Sequence, residues 1–203
     1  MAWSGEKRNL LQLERRLAAE GYRRVAGVDE AGRGCLAGPV FAAAVILPAG
    51  LVLPGVDDSK KLSPEKREEC FSRISGIALA WSVALIGAGE IDRINIHRAS
   101  LEAMRRAAEG LNPRPEFLLV DGRFPLSLRI PQRPVVHGDS LCQAVAAASI
   151  LAKVSRDRWM REAACRYPEF GFDRHKGYGT AVHREAIRRH GLSPIHRRTF
   201  NFS

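Results

Sequence analysis

Two adjacent carboxylates end an apolar stretch in VAGVDEAGRG, residues 25–34. Asp29 and Glu30 follow residues typical of a buried strand, and a turn with two glycines and an arginine comes next. Because ionised carboxylates lose hydration at the exit of a buried strand, we expect a compensating cation there. Consecutive strand residues point to opposite faces, so we expect the glycines of AGRG to bend the chain and let both acids serve one site.

Two further carboxylates lie where apolar segments end. Asp121 closes FLLVD, at the carboxyl edge of a predicted sheet, which is where α/β proteins build their sites. Asp139 lies in HGDS, at the entry to a long predicted helix. Clustered carboxylates suit Mg²⁺ or Mn²⁺ rather than zinc, and two such ions can activate water and stabilise the leaving oxygen of a phosphodiester. The four acids therefore indicate metal-dependent phosphodiester hydrolysis.

Some of these acids have structural alternatives. Asp139 can be read as a helix N-cap, and Asp121 as a turn residue. Asp157, in KVSRD, is a rival for the fourth ligand. A continuous helix would place it roughly 27 Å from Asp139 at about 1.5 Å per residue. We therefore predict that Asp157 is a helix-surface partner of Lys153 or Arg161, four residues away.

Positive charge is concentrated towards the C-terminus. The 203-residue chain has a net charge of +10. Residues 25–150 hold 14 Lys/Arg and 14 Asp/Glu, whereas residues 151–203 hold 12 Lys/Arg and 5 Asp/Glu. A basic flank beside an acid-bearing core indicates a polyanionic partner, and a solubilising surface is the alternative.

The composition also bounds the class of protein. With 45% hydrophobic and 27% charged residues, the chain is typical of a globular protein of one or two domains. No apolar stretch reaches the length of about 18 residues that spans a membrane. The N-terminal segment lacks a secretory pattern and the four cysteines form no CxxC pair, so we expect a cytoplasmic protein without a zinc or disulfide framework.

Turn signals and periodicity predict strands that first follow one another and then alternate with helices. Strands are expected in RRVAGVDE, GPVFAAAVIL, ALAWSVALIGAGEID, PEFLLVDG and RPVVHGD, the first two pairing antiparallel. One helix should follow Ser63 as N-cap and Pro64, and another should end at Gly110. An amphipathic N-terminal helix, a long Ala-rich helix after HGD and a last helix in TAVHREAIRRH complete a mixed-sheet α/β domain.

Six motifs, in their order along the chain, resemble those of bacterial ribonuclease HII. They are GVDEAGRGCLAGPV, DDSKKLSPEKRE, LLVDG, HGD, AAASILAKVSRDRWM and GFDRHKGYGT. The resemblance implies an RNase H-like mixed sheet, three antiparallel strands followed by parallel ones, flanked by helices. It also implies a catalytic domain over residues 1–165, including the N-terminal helix, and a small, basic, helical substrate-binding extension over residues 166–203.

The resemblance further implies a set of site residues. Counterparts exist for the family's four metal-binding acids, for the Gly-Arg-Gly loop that reads the 2′-hydroxyl at an RNA–DNA junction, and for its junction tyrosine. They are, in that order, Asp29, Glu30, Asp121 and Asp139; Gly32, Arg33 and Gly34; and Tyr178. From their charge, Lys60 and Lys61 are further candidates for phosphate contacts that do not read sequence.

The implied activity is endonucleolytic cleavage of the RNA strand of RNA–DNA hybrids, and cleavage 5′ of ribonucleotides embedded in duplex DNA, with two Mn²⁺ or Mg²⁺ ions. We expect a monomer, and RRTFNFS does not resemble a clamp-binding peptide. Two other classes stay open on the residues alone. One is another two-metal phosphodiesterase, which would also cut all-DNA duplexes. The other is a basic nucleic-acid-binding module whose acids are structural.

Overall fold

The protein is built on one mixed β-sheet. The computed structural model describes residues 10–56 and 62–202. The strands are β1 Val25–Ala31, β2 Val40–Ile46, β3 Ala80–Ile86, β4 Phe117–Asp121 and β5 Gln132–Val135. They lie in the order β3-β2-β1-β4-β5, with β1 to β3 antiparallel and with β4 and β5 parallel to β1. The predicted fold class is confirmed, and each predicted segment overlaps one of these strands. The third predicted segment is too long: its strand ends at Ile86, and residues 88–94 form a helix that begins after Gly87.

Helices cover the two faces of the sheet. They are α1 Gln12–Ala19, α2 Pro64–Ile77, α3 Ala88–Ile94, α4 Ile96–Glu109, α5 Gln143–Arg166, α6 Phe172–His175 and α7 Ala181–His190. Two predicted boundaries are confirmed. Ser63 is the N-cap of α2 and its hydroxyl accepts a hydrogen bond from the Lys66 N–H at 3.3 Å, and Gly110 is the C-cap of α4.

The core has one layer on each face of the sheet. On one face α4 packs Ala99, Ala103 and Met104 against apolar residues of β1 and β2. On the other face the Ala-rich first half of α5 packs on the same strands. A Cβ atom at Gly27 of β1 would lie 2.0 Å from the backbone carbon of Ala144. The missing side chain therefore lets the start of α5 sit directly on the strand that carries the two adjacent acids.

The long helix starts later than the sequence predicts. It begins at Gln143, after a 3₁₀ turn over Gly138–Ser140, so Asp139 lies before the helix and does not cap it. The N-terminal helix α1 supplies a partner instead, because Glu14 Oε1 accepts a hydrogen bond from the Ala144 N–H at 3.0 Å. The interpretation of Asp139 as the N-cap of this helix is therefore wrong, because Cys142 occupies that position.

The C-terminal segment packs against the loop that joins β1 and β2. Isolated β-bridges join Cys35 to Tyr178 and Ala37 to His196. The helical extension is present as α6 and α7, and its rings Phe170 and Phe172 stack with centroids 5.3 Å apart. The segment thus brings residues from the end of the chain against the end of β1. Its status as a separate domain over 166–203 stays a prediction.

Helices long and apolar enough to cross a membrane are absent from the part of the chain that the structure describes.

Candidate active site

Three carboxylates meet at the carboxyl end of the central strands. Asp29, Glu30 and Asp121 each offer an oxygen atom, and these atoms all lie within 4.8 Å of one another. Asp29 is buried, whereas Glu30 and Asp121 are partly buried. Three hard oxygen donors at this spacing fit an oxygen-preferring divalent ion such as Mg²⁺ or Mn²⁺.

The end of the parallel pairing brings these acids together. The last β1–β4 pair is Val28 with Val120, while β1 stays paired with β2 as far as Ala31. Asp29 and Glu30 therefore lie beyond the last β1–β4 pair, and their carboxylates meet that of Asp121 although the pairing with β2 is unbroken. The bend comes only at Gly32, with φ +96°. The expectation that AGRG unites the two acids by bending is wrong, and the bend positions the loop instead.

Asp139 lies beside this group and does not belong to it. Within the described residues, the group within 4.8 Å contains the other three acids only. Asp139 is buried in the 3₁₀ turn, and the neighbouring Gly138 N–H donates a hydrogen bond of 2.7 Å to Asp121 Oδ1. This bond ties the turn that carries Asp139 to the end of β4. The role of Asp139 as fourth metal ligand stays a prediction.

Burial and mutual repulsion make the cluster electrostatically unfavourable. Burial raises the pKa of Asp29 well above its ordinary value, and the charges of Glu30 and Asp121 raise it further. Hydrogen bonds from the Ser149 hydroxyl and from the Glu30 N–H, the latter 2.6 Å long, oppose the rise. Burial also raises the pKa of Glu30, although Arg33 opposes the shift. A divalent cation would remove this repulsion, so the donor set fits such an ion.

We expect Asp29→Asn to raise the melting temperature of the metal-free protein at neutral pH. The pKa of Asp29 is raised in the folded state, so the contribution of this group to stability is most favourable below the unfolded pKa of about 3.9 and is lost as pH rises through the folded pKa. The variant escapes this loss. Its melting temperature should exceed that of wild type by several degrees, since about 1 kcal/mol in the free energy of unfolding corresponds to roughly 2–4 °C for a chain of this size.

Thermal unfolding in chelator across pH 4–8 measures this difference. Asp92→Asn is the matched control. The Asp92 carboxylate accepts hydrogen bonds from the Arg198 N–H, the Thr199 N–H and the Thr199 hydroxyl, so this variant should melt at a lower temperature than wild type. An Asp29→Asn melting temperature that is equal to or below wild type at pH 7–8 would contradict the expected repulsion.

A cation stands beside the acids, as the sequence predicts. Arg33 Nη1 lies 3.1 Å from Glu30 Oε1, and the arginine side chain is half exposed. An ion pair this exposed contributes little to stability. Its importance lies in position, because it holds the loop arginine at the mouth of the carboxylate site.

A cleft of about 260 Å³ opens over the carboxylates. The Gly32–Gly34 loop and Tyr178 border it together with three acids, Ser149 and Lys153. Tyr178 is 44% exposed, and the Lys153 ammonium lies 5.8 Å from its ring centroid. An exposed ring and a backbone loop beside clustered acids can contact a sugar and a phosphate together.

Comparison with known proteins identifies the family. The sequence profile described as Ribonuclease HII matches residues 26–202. A curated Ribonuclease HII of Geobacter sulfurreducens is 57% identical over 187 residues, covering 92% of this chain and 86% of the relative. The chain belongs to the ribonuclease HII family. A second relative, from Geobacillus kaustophilus, is 54% identical over 191 residues, covering 94% of this chain and 73% of its own.

Solved structures agree with this assignment. The ribonuclease H2 of Pyrococcus horikoshii OT3 has a TM-score of 0.76 at 30% identity, over 88% of this chain and 94% of that one. Bst-RNase HIII in complex with Mn²⁺ shares the fold, with a TM-score of 0.69 at 19% identity over 100% of this chain and 74% of that one. The protein is thus a ribonuclease H-type, metal-dependent endonuclease, and its acidic cluster is compatible with that chemistry.

A buried arginine with no local signal in the sequence holds the Gly32–Gly34 loop. Arg197 donates hydrogen bonds to the carbonyls of Gly32, Arg33 and Gly38 at 2.7, 2.9 and 2.9 Å. Its side chain is fully buried, and burial lowers its pKa to about 10, so it stays charged at neutral pH. In the sequence Arg197 looks like one more basic residue of a solvated tail, and that interpretation is wrong.

A second buried arginine supports the chain just after this loop. Arg156 of α5 donates hydrogen bonds to the carbonyls of Pro39, Ala37 and Lys176 at 3.0, 3.1 and 2.9 Å. Its side chain is fully buried as well. It therefore ties α5 both to the β1–β2 connection and to the segment that carries Tyr178.

The two glycines of the loop have different surroundings. A Cβ atom at Gly32 would lie 2.0 Å from Arg156 Nε, and the residue has a positive φ, so a side chain there would disturb the buried arginine. A Cβ atom at Gly34 would meet no atom within 4 Å. An alanine methyl group at Gly34 would therefore clash with no described atom of the protein.

The other predicted residues have mixed outcomes. Asp157 forms the predicted ion pair with Lys153, at 2.7 Å, but it is buried at 8% exposure and not on the helix surface as expected. Lys176 and Tyr178, which come from the C-terminal segment, lie close enough to interact electrostatically with Asp157. Lys60 and Lys61 lie outside the described residues.

Proposed function

We propose that this enzyme cleaves the RNA strand of RNA–DNA hybrids and cuts on the 5′ side of ribonucleotides embedded in duplex DNA. The observation that carries the proposal is the single cleft that joins the acid cluster, the Gly32–Gly34 loop and Tyr178. A pure binding module would gain nothing from three repelling carboxylates at the place where a phosphate must bind.

In this proposal Asp29, Glu30, Asp121 and Asp139 hold two divalent ions, Mg²⁺ or Mn²⁺. Bound ions would supply an activated water and charge stabilisation for the leaving oxygen. The protein's own residues orient the substrate. Asp29 is held by Ser149, and Asp121 by Gly138, so the carboxylates are fixed before substrate arrives.

The Gly32–Gly34 loop would identify the ribonucleotide. Its carbonyls at residues 32 and 33 are occupied by Arg197, which fixes the loop backbone. A 2′-hydroxyl both donates and accepts hydrogen bonds, so a fixed backbone edge can distinguish it from a 2′-hydrogen. Tyr178 would stack on the sugar beside the junction. Since Tyr178 belongs to residues 166–203, we propose that this segment is the substrate-binding extension.

The test is cleavage of matched duplexes that contain zero, one or four ribonucleotides. With Mg²⁺ or Mn²⁺ we expect cuts 5′ of the ribonucleotide and no cut in the all-DNA duplex. In excess chelator activity should vanish, because the carboxylates alone cannot neutralise the charge that develops on the phosphate.

Two outcomes would contradict the proposal in different ways. If the all-DNA duplex were cut as fast as the duplexes that contain ribonucleotides, the enzyme would be a general two-metal nuclease. Undiminished hydrolysis in chelator would rule out the metal-dependent mechanism.

A further inference from the structure

A second cavity adjoins the carboxylates on the α4 side of the sheet. Its volume is about 360 Å³, and it shares only Asp121 and Arg33 with the cleft that holds the Gly32–Gly34 loop and Tyr178. Residues of α4 and of the segments that follow β4 and β5 line the rest of it. A polymer that passes over the acids can therefore enter one cavity on each side of them.

The wall of this cavity contains a buried polar group without a partner. Ser100 of α4 is 1% exposed, and its hydroxyl has no hydrogen-bond partner within the described part of the chain. A buried hydroxyl without a partner is destabilising, and native proteins seldom keep one without a reason. A polar ligand atom that enters the cavity would satisfy it.

The rim combines an exposed ring with positive charge. Phe124 is 52% exposed, and His97 holds it edge-on with ring centroids 4.8 Å apart. Arg123 and Arg33 add two cations, and Asp121 is the one acidic side chain among the lining residues. A flat apolar surface beside cations suits a sugar that carries a phosphate.

We propose that this cavity binds the deoxynucleotide on the 5′ side of the scissile phosphate, with its sugar on Phe124 and its 5′ phosphate on Arg123. The inference rests on the proposed function. If the Gly32–Gly34 loop holds the ribonucleotide, which lies 3′ of the cut, the strand must leave the acids in the opposite direction. The cavity on the α4 side reaches Asp121 but is not lined by Gly32, Gly34 or Tyr178, so it is the one open to that part of the strand.

A double-mutant cycle between protein and substrate tests this contact. The substrate is a single-ribonucleotide duplex in which the phosphate one nucleotide 5′ of the scissile one is replaced by a neutral methylphosphonate. The protein variant is Arg123→Met. Arg129→Met is the matched control, because Arg129 is also exposed, lies in the same β4–β5 connection and does not line the cavity.

In the wild type and in Arg129→Met, the methylphosphonate should raise KM about tenfold, because a charge-assisted hydrogen bond is lost. In Arg123→Met it should change KM less than twofold, since the partner is already gone.

Ser100→Ala should keep the wild-type melting temperature or exceed it, and should raise KM while kcat stays unchanged. If the Ser100 hydroxyl only filled space and did not contact the substrate, its removal would leave KM unchanged.

Equal methylphosphonate effects in the Arg123 and Arg129 variants would overturn the subsite and leave the proposed function intact. A wild type that does not cut the unmodified single-ribonucleotide duplex would overturn both. Phe124→Ala and Phe124→Leu give an independent measurement. Only the alanine variant should raise KM strongly, because leucine keeps most of the apolar surface.

Discussion

Asp121→Asn is expected to lower the rate of cleavage by at least about 10³-fold, and Asp29→Asn should do the same. Each substitution removes one negative donor from a group whose oxygens lie within 4.8 Å of one another, and so weakens the binding of the divalent ions. In Asp121→Asn the new amide oxygen can still accept the hydrogen bond from the Gly138 N–H, so the turn that carries Asp139 should stay in place.

Single-turnover cleavage in Mg²⁺ and Mn²⁺ measures this loss, with fluorescence anisotropy on the same duplex as the measure of binding. Asp157→Asn is the matched control, because its carboxylate is buried and pairs with Lys153 but lies outside the cluster. Asp139→Asn should lower the rate of cleavage about as much as Asp121→Asn does, whereas Asp157→Asn should lower it only slightly. If the effects at 139 and 157 were reversed, the assignment of the fourth ligand would be wrong.

Arg197→Lys is expected to lower kcat on a single-ribonucleotide duplex by about 10²-fold. The guanidinium bonds to three carbonyls at once, and the single ammonium of lysine cannot reproduce that geometry. The Gly32–Gly34 loop should then shift, and a displacement of about 1 Å can cost a hundredfold in rate. Salt-dependent affinity for an all-DNA duplex should hardly change, because a fully buried arginine cannot contact a phosphate.

The control for this prediction is Arg198→Lys, an adjacent exposed arginine that should keep wild-type activity. Circular dichroism and the melting temperature identify the temperatures at which Arg197→Lys is folded, and rates are compared only at those temperatures. A wild-type kcat in the folded variant would show that Arg197 does not position the loop. If the affinity for the all-DNA duplex fell together with kcat, Arg197 would instead be a residue that contacts the substrate directly.

Local sequence determined much of the architecture. Apolar runs of the right length, the Ser63 cap and the Gly110 end predict the strands and helices, because these signals act between residues close in the chain. The end of an apolar strand also predicts where acids will gather, since carboxyl ends of parallel strands share one edge. The sequence by itself therefore identifies Asp29, Glu30 and Asp121 as site residues.

Only the tertiary structure decided how the acids and cations are arranged. It showed that Asp29 and Glu30 converge beyond the last β1–β4 pair and before the bend at Gly32. It separated Asp139 from the tight group and buried Asp157. It turned Arg197 from a tail charge into the support of a loop 165 residues earlier in the chain. Such contacts carry no local pattern, because they depend on which segments the folded sheet brings together.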